Sequence, residues 1–85
     1  MRKLFVGEVR YAAPRALIPV IEEFAYIDEE SVGYFARLYA LVVVEQGGTE
    51  ILPSGSPVSL ETLTNLLPEL QSILEKVREI LSRTP

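Results

Sequence analysis

Carboxylates, hydroxyls and tyrosines are the residues of this sequence that could carry chemistry, because it contains no histidine and no cysteine. Histidine is the commonest general base and the commonest metal ligand, so its absence removes the ordinary routes to catalysis. The adjacent Glu22 and Glu23 could bind a metal ion or exchange protons only if both side chains reached one site. On a helix, adjacent side chains point about 100° apart. The pair is therefore interpreted as part of a solvated face.

The hydroxyl and glycine patterns do not form a catalytic motif. A serine or threonine nucleophile needs a base, and neither Lys3 nor Lys76 lies in a recognisable motif. Gly47, Gly48 and Gly55 lack the Gly-Lys-Ser/Thr ending of a phosphate-binding loop. Tyrosines could stack on bases, but on an apolar face they belong more often to a core or an interface. The sequence predicts a protein without enzymatic activity, cofactor or bound metal.

Length and charge restrict the partners. Eighty-five residues form a single domain, residues 1–85, and so short a chain buries only about 60–65% of its unfolded surface. Association with another chain is an ordinary way to stabilise such a small core. The net charge of −4 disfavours nucleic-acid binding through the whole surface. A basic N-terminal arm leaves contact with phosphate open; its charges are Arg2, Lys3, Arg10 and Arg15.

Composition also suggests a location and a source. Residues 1–9 lack the long apolar segment of a secretory signal, and the longest apolar run, residues 38–44, is too short to span a membrane. We expect a cytoplasmic protein that is not bound to a membrane. Glutamate and arginine are frequent, whereas the thermally labile asparagine and glutamine are few, which is typical of thermophile proteins.

A helical apolar pattern in residues 59–83 is the clearest element that could organise the chain. Apolar residues alternate there by three and four positions, as on one face of a helix. A second apolar row widens this face, which favours the core of a bundle over a dimeric coiled coil. The first row is Leu60, Leu63, Leu67, Leu70, Leu74, Val77 and Leu81, and the second is Leu66, Ile73 and Ile80.

The ends and the interior of this helical region carry further signals. Ser59 is a good N-cap, and Glu61 suits the positive end of the helix dipole. Pro68 implies one of two arrangements. The unbroken apolar pattern favours a single helix with a kink. The alternative is a helix over residues 60–66 followed by a second helix that begins at Pro68.

The middle of the chain is predicted to form two more helices. The second covers residues 32–46, with Asp28 or Ser31 as its N-cap and Gly47 as the residue that ends it. The first begins near Pro19 and places four apolar residues on one face: Val20, Ile21, Phe24 and Ile27.

An alternative remains for this middle stretch. The run of three valines at residues 42–44 is typical of a strand, and Gly47-Gly48 would then form a hairpin turn into residues 49–52. Residues 3–10 predict a short N-terminal strand or arm, and residues 52–58 predict a loop. The predicted fold class is mainly α, a small helical bundle with a long C-terminal amphipathic helix. The alternative is an α+β fold with a hairpin at 34–52.

The run RALIPVIEEFAYIDEESVGYFARLYALVVVEQGG, followed by SGSPVSLETLTNLLPELQSILEKVREILSRTP, resembles the small terminase subunits of tailed phages. In that family a short helix leads through an acidic turn to a Tyr-bearing helix that ends near glycine. A polar loop, a long helix and a Leu-Thr-Pro ending follow, and Thr84-Pro85 is similar to that ending. The resemblance covers roughly residues 14–85 and lacks an evident helix-turn-helix. It implies a helical, ring- or oligomer-forming viral adaptor.

Together these features predict a non-enzymatic, self-associating helical interaction module, with a role in phage packaging or assembly implied by the resemblance. The alternative is a small acidic regulator or inhibitor that binds a host protein through a negatively charged surface. The apolar faces exceed what one short chain can cover, so a homo-oligomer or another protein partner is expected. The predicted contacts are Tyr34, Leu38, Leu41, Leu66, Ile73 and Ile80.

Overall fold

A computed structural model of the protein describes residues 1–53 and 58–83. Strands make up 51% of these described residues and helices 28%, so the predicted mainly α bundle is wrong. The protein is instead a five-stranded antiparallel sheet with two helices. The elements are β1 (Arg2–Val6), β2 (Arg10–Ala12), β3 (Arg15–Ile27), β4 (Val32–Glu45), β5 (Gly48–Leu52), α1 (Leu60–Leu66) and α2 (Glu69–Arg83).

The sheet is a meander in which two short strands, β1 and β2, share the first edge. Its order is β1-β3-β4-β5, and β2 pairs with β3 as well. Both β1 and β2 lie on the side of β3 that β4 does not occupy, β1 along residues 20–24 and β2 along residues 15–17. Residues 7–9 interrupt this edge opposite the middle of β3.

This interruption explains how β3 tolerates a proline in its interior. In an antiparallel pair the N–H and C=O of one residue point to the same neighbouring strand. The Pro19 carbonyl accepts a 2.8 Å hydrogen bond from the Gly7 amide, so the N–H that proline lacks would also have pointed toward this gap. A Cβ on Gly7 would come within 2.8 Å of Ile21 Cδ1, which explains the glycine there.

The two helices predicted over residues 19–27 and 32–46 are strands, and a β-bulge explains part of this error. Val20 pairs with Ala40, but Ile21 pairs with Leu38, so Tyr39 is an extra residue in β4. Because of the bulge, even-numbered residues before Tyr39 share a face with odd-numbered residues after it. Tyr34, Leu38 and Leu41 thus lie on one face at intervals of four and three residues, as on a helix, although the backbone is extended.

The acidic segment predicted to cap a helix forms the β3–β4 turn. Asp28 Oδ1 accepts hydrogen bonds from the backbone amides of Glu30 (2.9 Å) and Ser31 (2.6 Å). The Asp28 amide donates to the Ser31 carbonyl at 2.8 Å. An aspartate side chain satisfies free amides in a turn as it does at a helix start, so the residue pattern is the same in both cases.

The second half of β4 and β5 form a hairpin, as the alternative interpretation of this stretch described. Glu45 pairs with Gly48, so Gln46 and Gly47 are the two turn residues, one position earlier than the Gly47-Gly48 turn proposed from the sequence. The predicted loop at 52–58 and the Thr84-Pro85 ending lie mostly or wholly outside the described residues.

The predicted C-terminal helical region is present, but as two helices rather than one kinked helix. Ser59 caps α1 by accepting a 3.1 Å hydrogen bond from the Thr62 amide, as predicted. Leu67 and Pro68 separate α1 from α2, because proline cannot donate the hydrogen bond that would continue α1. The Leu70 amide donates to the Leu67 carbonyl at 2.9 Å and so begins the second helix.

The core lies between these helices and one face of the sheet, which we call the inner face. The residues of the first helical row are buried, apart from Leu60, which packs at the margin. In the second row Ile73 is partly buried, whereas Leu66 and Ile80 are exposed. The sheet contributes alternate residues of β3 and β4, all at most 1% exposed: Ala16, Ile18, Val20, Ala40, Val42 and Val44. Burial of this face by an amphipathic helical layer is the main stabilising contact of the fold.

Candidate interaction surface

The sheet face opposite the helices is apolar at its centre, and we call it the outer face. Its members are found from the pairing register, since residues directly opposite one another in neighbouring strands point to the same side. We call a line of directly opposite residues across the strands a row. On the outer face one row passes through Ile21 and the next through Pro19. The apolar side chains of the outer face are Phe5, Leu17, Pro19, Ile21, Leu38, Leu41, Val43 and Leu52.

Charged side chains border this apolar centre at both ends. Nearest the β4–β5 turn, Arg15 Nε contacts Glu45 Oε1 at 2.6 Å across the strands. At the other end Glu23 lies in the row of Lys3, and its Oε1 accepts a 2.6 Å hydrogen bond from the Tyr34 hydroxyl. This bond, with desolvation and the negative charge of Glu23, raises the pKa of Tyr34. An apolar centre inside a polar rim is the usual anatomy of a protein interface.

No element among the described residues packs on the outer face. The core cluster joins both helices to the inner-face residues, and the flanking apolar residues that pack against it belong to the same layer. The outer-face side chains shield one another: most are partly buried, Val43 is 8% exposed and Leu38 is 58% exposed. The strands are therefore apolar on both faces, a property of sheets that are covered on both sides.

The six predicted contact residues divide between two sides of the molecule. Tyr34, Leu38 and Leu41 lie together on the outer face, where the bulge at Tyr39 aligns them. Leu66 and Ile80 lie on the helices, beyond the inner face, with exposures of 53% and 45%.

The third helical contact, Ile73, is partly buried and packs against the core. The predicted contacts therefore do not form one surface, because the sheet separates the two groups. Their role as an interface stays a prediction.

The sequence did not identify the six other apolar members of the outer face as contact residues. They become neighbours only through the strand register: Phe5, Leu17, Pro19, Ile21, Val43 and Leu52. The signal that could have found them is the nearly continuous apolar run at residues 16–21, which is typical of a strand with two apolar faces.

Glu22 does not share a site with Glu23, since neighbouring residues of a strand point to opposite faces. Glu22 lies on the inner face just beyond the helices and is 1% exposed. Arg37 Nε donates to Glu22 Oε1 at 2.7 Å, and Arg2 Nε donates to Glu22 Oε2. Burial raises the pKa of Glu22, but the hydrogen bonds and charges of Arg37 and Arg2 outweigh it and leave the pKa below its usual value.

This cluster closes the end of the core with a buried carboxylate that two arginines neutralise. Each oxygen of the Glu22 carboxylate accepts from one guanidinium group, and the side chain is 1% exposed. The guanidinium groups also lie over aromatic rings, Arg2 at 5.5 Å from the Tyr39 centroid and Arg37 at 5.6 Å from that of Phe24. Within residues 1–53 and 58–83, no group of three potential metal ligands is found.

The β3–β4 hairpin continues beyond the helices as an arm, residues 24–36. Phe24 and Phe35 stack across the strands with ring centroids 4.9 Å apart, and the Tyr26 ring occupies the space beside Gly33 that a Cβ would need. With this arm, the molecule is elongated, and its longest dimension is 56 Å. On its β4 edge, residues 32–40 pair with β3 alone, because β5 pairs only with residues 41–45.

A cleft of about 650 Å³ lies between the β4–β5 turn and the end of α2. Its polar groups are used to join these elements. Gln46 Nε2 donates to the Leu81 carbonyl at 2.8 Å, and Arg78 Nη2 donates to Thr49 Oγ1 at 3.2 Å. These contacts hold the turn against the helix, so the cleft is explained by the packing of the fold.

Comparison of the protein with family models, with curated proteins and with solved structures finds no match. The phage resemblance therefore rests on the sequence pattern alone, and the helices that it implies for residues 14–48 are strands. Within the described parts of the chain, no helix combines the length and the hydropathy needed to cross a membrane.

Proposed function

We propose that this protein is a non-enzymatic interaction module that associates with itself through the outer face of its sheet. One observation carries the proposal: the strands are apolar on both faces, but the two helices cover only the inner one. An uncovered apolar face of this kind is unfavourable in water and marks a binding surface. A second copy of the chain presents the same apolar face and can cover it.

Sedimentation equilibrium at micromolar concentration tests the proposal. We expect a homo-oligomer for the wild-type chain and dissociation on Leu38→Glu, because this change would place a charge within the apolar centre. Leu66→Glu is the matched control, since Leu38 and Leu66 have similar exposures of 58% and 53% but lie on opposite sides of the sheet. Far-UV circular dichroism of both variants must show that the subunit remains folded.

Three outcomes would contradict the proposal. A wild-type chain that stays monomeric would remove self-association. Dissociation by Leu66→Glu alone would place the interface on the helices. Equal dissociation by both variants would show that the effect is not specific to the outer face.

A second candidate function, a small acidic regulator that binds another protein, is favoured by the arm. Its turn carries Asp28, Glu29 and Glu30, all exposed, beside the exposed aromatic rings of Tyr26 and Phe35. An open strand edge can pair with an extended segment of a partner, and the acidic turn would favour a basic one. A monomer that binds a basic protein, and loses that binding when the three acidic residues are replaced, would support this function over self-association.

The phage packaging role stays a prediction that the outer face does not address. Its test is the same sedimentation experiment, because the closed ring expected of such an adaptor has more than two subunits.

A further inference from the structure

The charges that border the outer face specify how two copies would be oriented, provided that the proposed self-association through this face holds. One row crosses all four positions of the sheet, from Arg10 in β2 through Leu17 and Val43 to Glu50 in β5. It begins with a cation at one edge and ends with a carboxylate at the other. The next row contains Arg15 in β3 and Glu45 in β4.

We propose that the protein is a two-fold dimer in which the outer faces pack together about an axis parallel to the strands, with Arg10 of each subunit paired with Glu50 of the other. Rotation about such an axis places the β1/β2 edge of one sheet over the β5 edge of its partner, and β3 over β4. The row containing Arg10 and Glu50 then becomes charge-complementary to itself. The Arg15–Glu45 row is complementary in the same way.

The apolar rows also match in this orientation. Leu17 lies over Val43 of the partner subunit, and Ile21 lies over Leu38 of the partner subunit. Pro19 meets Leu41 of the partner subunit, and the gap at Gly7 faces Leu52 of the partner subunit. A β-branched or long side chain thus opposes an apolar one in each row, as in the packed layers of a β-sandwich.

An axis perpendicular to the strands in the same plane gives a poorer match. It would keep each edge over the same edge of the partner and reverse the order of the rows. Centred on the Pro19 row, it would place Arg10 over Phe5 of the partner subunit. Glu50 would face the β5 edge of the partner subunit, whose described residues, Gly48–Leu52, include no cation. The edge-to-edge separation of Arg10 and Glu50 therefore selects the axis parallel to the strands.

The area of the outer face is sufficient for a stable dimer. From the spacing of strands and of alternate residues, each position covers about 33 Å², so the eight apolar side chains cover about 260 Å² and the whole face with its rim about 650 Å². Two such faces bury roughly 1,300 Å², which lies in the range of specific protein interfaces, about 1,200–2,000 Å². The resulting dimer has four layers, with the helices outermost.

Charge reversal tests the orientation. At low ionic strength we expect Arg10→Glu or Glu50→Arg to weaken dimerisation roughly tenfold, because each change opposes like charges at two symmetry-related positions. The double variant should return to within about threefold of the wild-type dissociation constant, because the two charges are exchanged. Raising the salt concentration should reduce the effect of each single variant. The measurement is sedimentation equilibrium over a concentration series.

Matched controls separate this pairing from a general effect of net charge. Lys76→Glu and Glu75→Arg make the same changes in net charge on exposed positions of α2, and both should leave the dissociation constant unchanged. If the wild-type chain dimerises but the double variant is no tighter than the single ones, the orientation is wrong while self-association stands. If the wild-type chain is a monomer at every concentration, both proposals are wrong.

Discussion

Ile18 and Ile21 lie three residues apart on β3 and face opposite sides of the sheet. Ile18 is 0% exposed and packs in the core beneath the helices, whereas Ile21 is partly buried on the outer face. Replacing each with alanine removes the same atoms from two different environments. The comparison therefore tests the strand assignment and the location of the core together.

The expected cost of Ile18→Ala follows from its complete burial. Three methyl or methylene groups lose about 0.8 kcal/mol each, and the cavity left under the rigid helical layer adds to this, giving about 3–4 kcal/mol. Ile21→Ala in the monomer should cost about 1 kcal/mol, because that side chain is only partly removed from water and leaves no closed cavity. For a domain of this size, these costs correspond to decreases in Tm of roughly 12–32 °C and 4–8 °C.

Urea denaturation followed by circular dichroism measures both values. At a concentration where the wild-type chain is monomeric, Ile18→Ala should lower the free energy of unfolding by the larger amount. At higher concentration the cost of Ile21→Ala should increase, because that side chain also contributes to the proposed dimer. Equal costs at low concentration, or a larger cost for Ile21→Ala, would refute the assignment of the two faces.

Two further predictions concern the ion cluster and the helices. The pKa of Glu22 is lower when folded than its ordinary value of 4.5, so its contribution to stability is complete above about pH 4.5 and is lost as pH falls through the folded pKa. The urea midpoint of Glu22→Gln should therefore decrease less below about pH 4.5 than that of the wild-type chain. Glu29→Gln, at an exposed position, is the control and should behave like the wild-type chain. The same dependence of the urea midpoint on pH in both variants would contradict the role of the cluster. Leu74→Ala should lower the free energy of unfolding by about 2–5 kcal/mol, because Leu74 is only 1% exposed. Glu75→Ala should change it by no more than about 0.5 kcal/mol. Similar unfolding free energies for those two variants would show that the buried face of α2 is misassigned.

Local residue patterns predicted the C-terminal helical region, but they misassigned both the Asp28 turn and the exact position of the β4–β5 turn. Ser59 and the alternating leucines act within a few residues of one another, so their pattern specifies a cap and a buried face without reference to the sheet. The favoured single kinked helix was wrong, because Pro68 separates two helices. The Asp28 carboxylate accepts from amides only two and three residues away, an arrangement that occurs both at a helix start and in a turn. Local chemistry did not show whether a strand or a helix follows that turn.

Strand pairing in the folded protein makes Arg15–Ile27 and Val32–Glu45 strands and sets which residues form the outer face. Both faces of β3 and β4 are apolar near the core, so the alternation that identifies a half-buried strand is missing. The bulge at Tyr39 then places Tyr34, Leu38 and Leu41 on one side at the spacing of a helix. Their neighbours on that face come from strands up to about 30 residues away in sequence, and strand pairing over such distances depends on the whole fold rather than on local propensity.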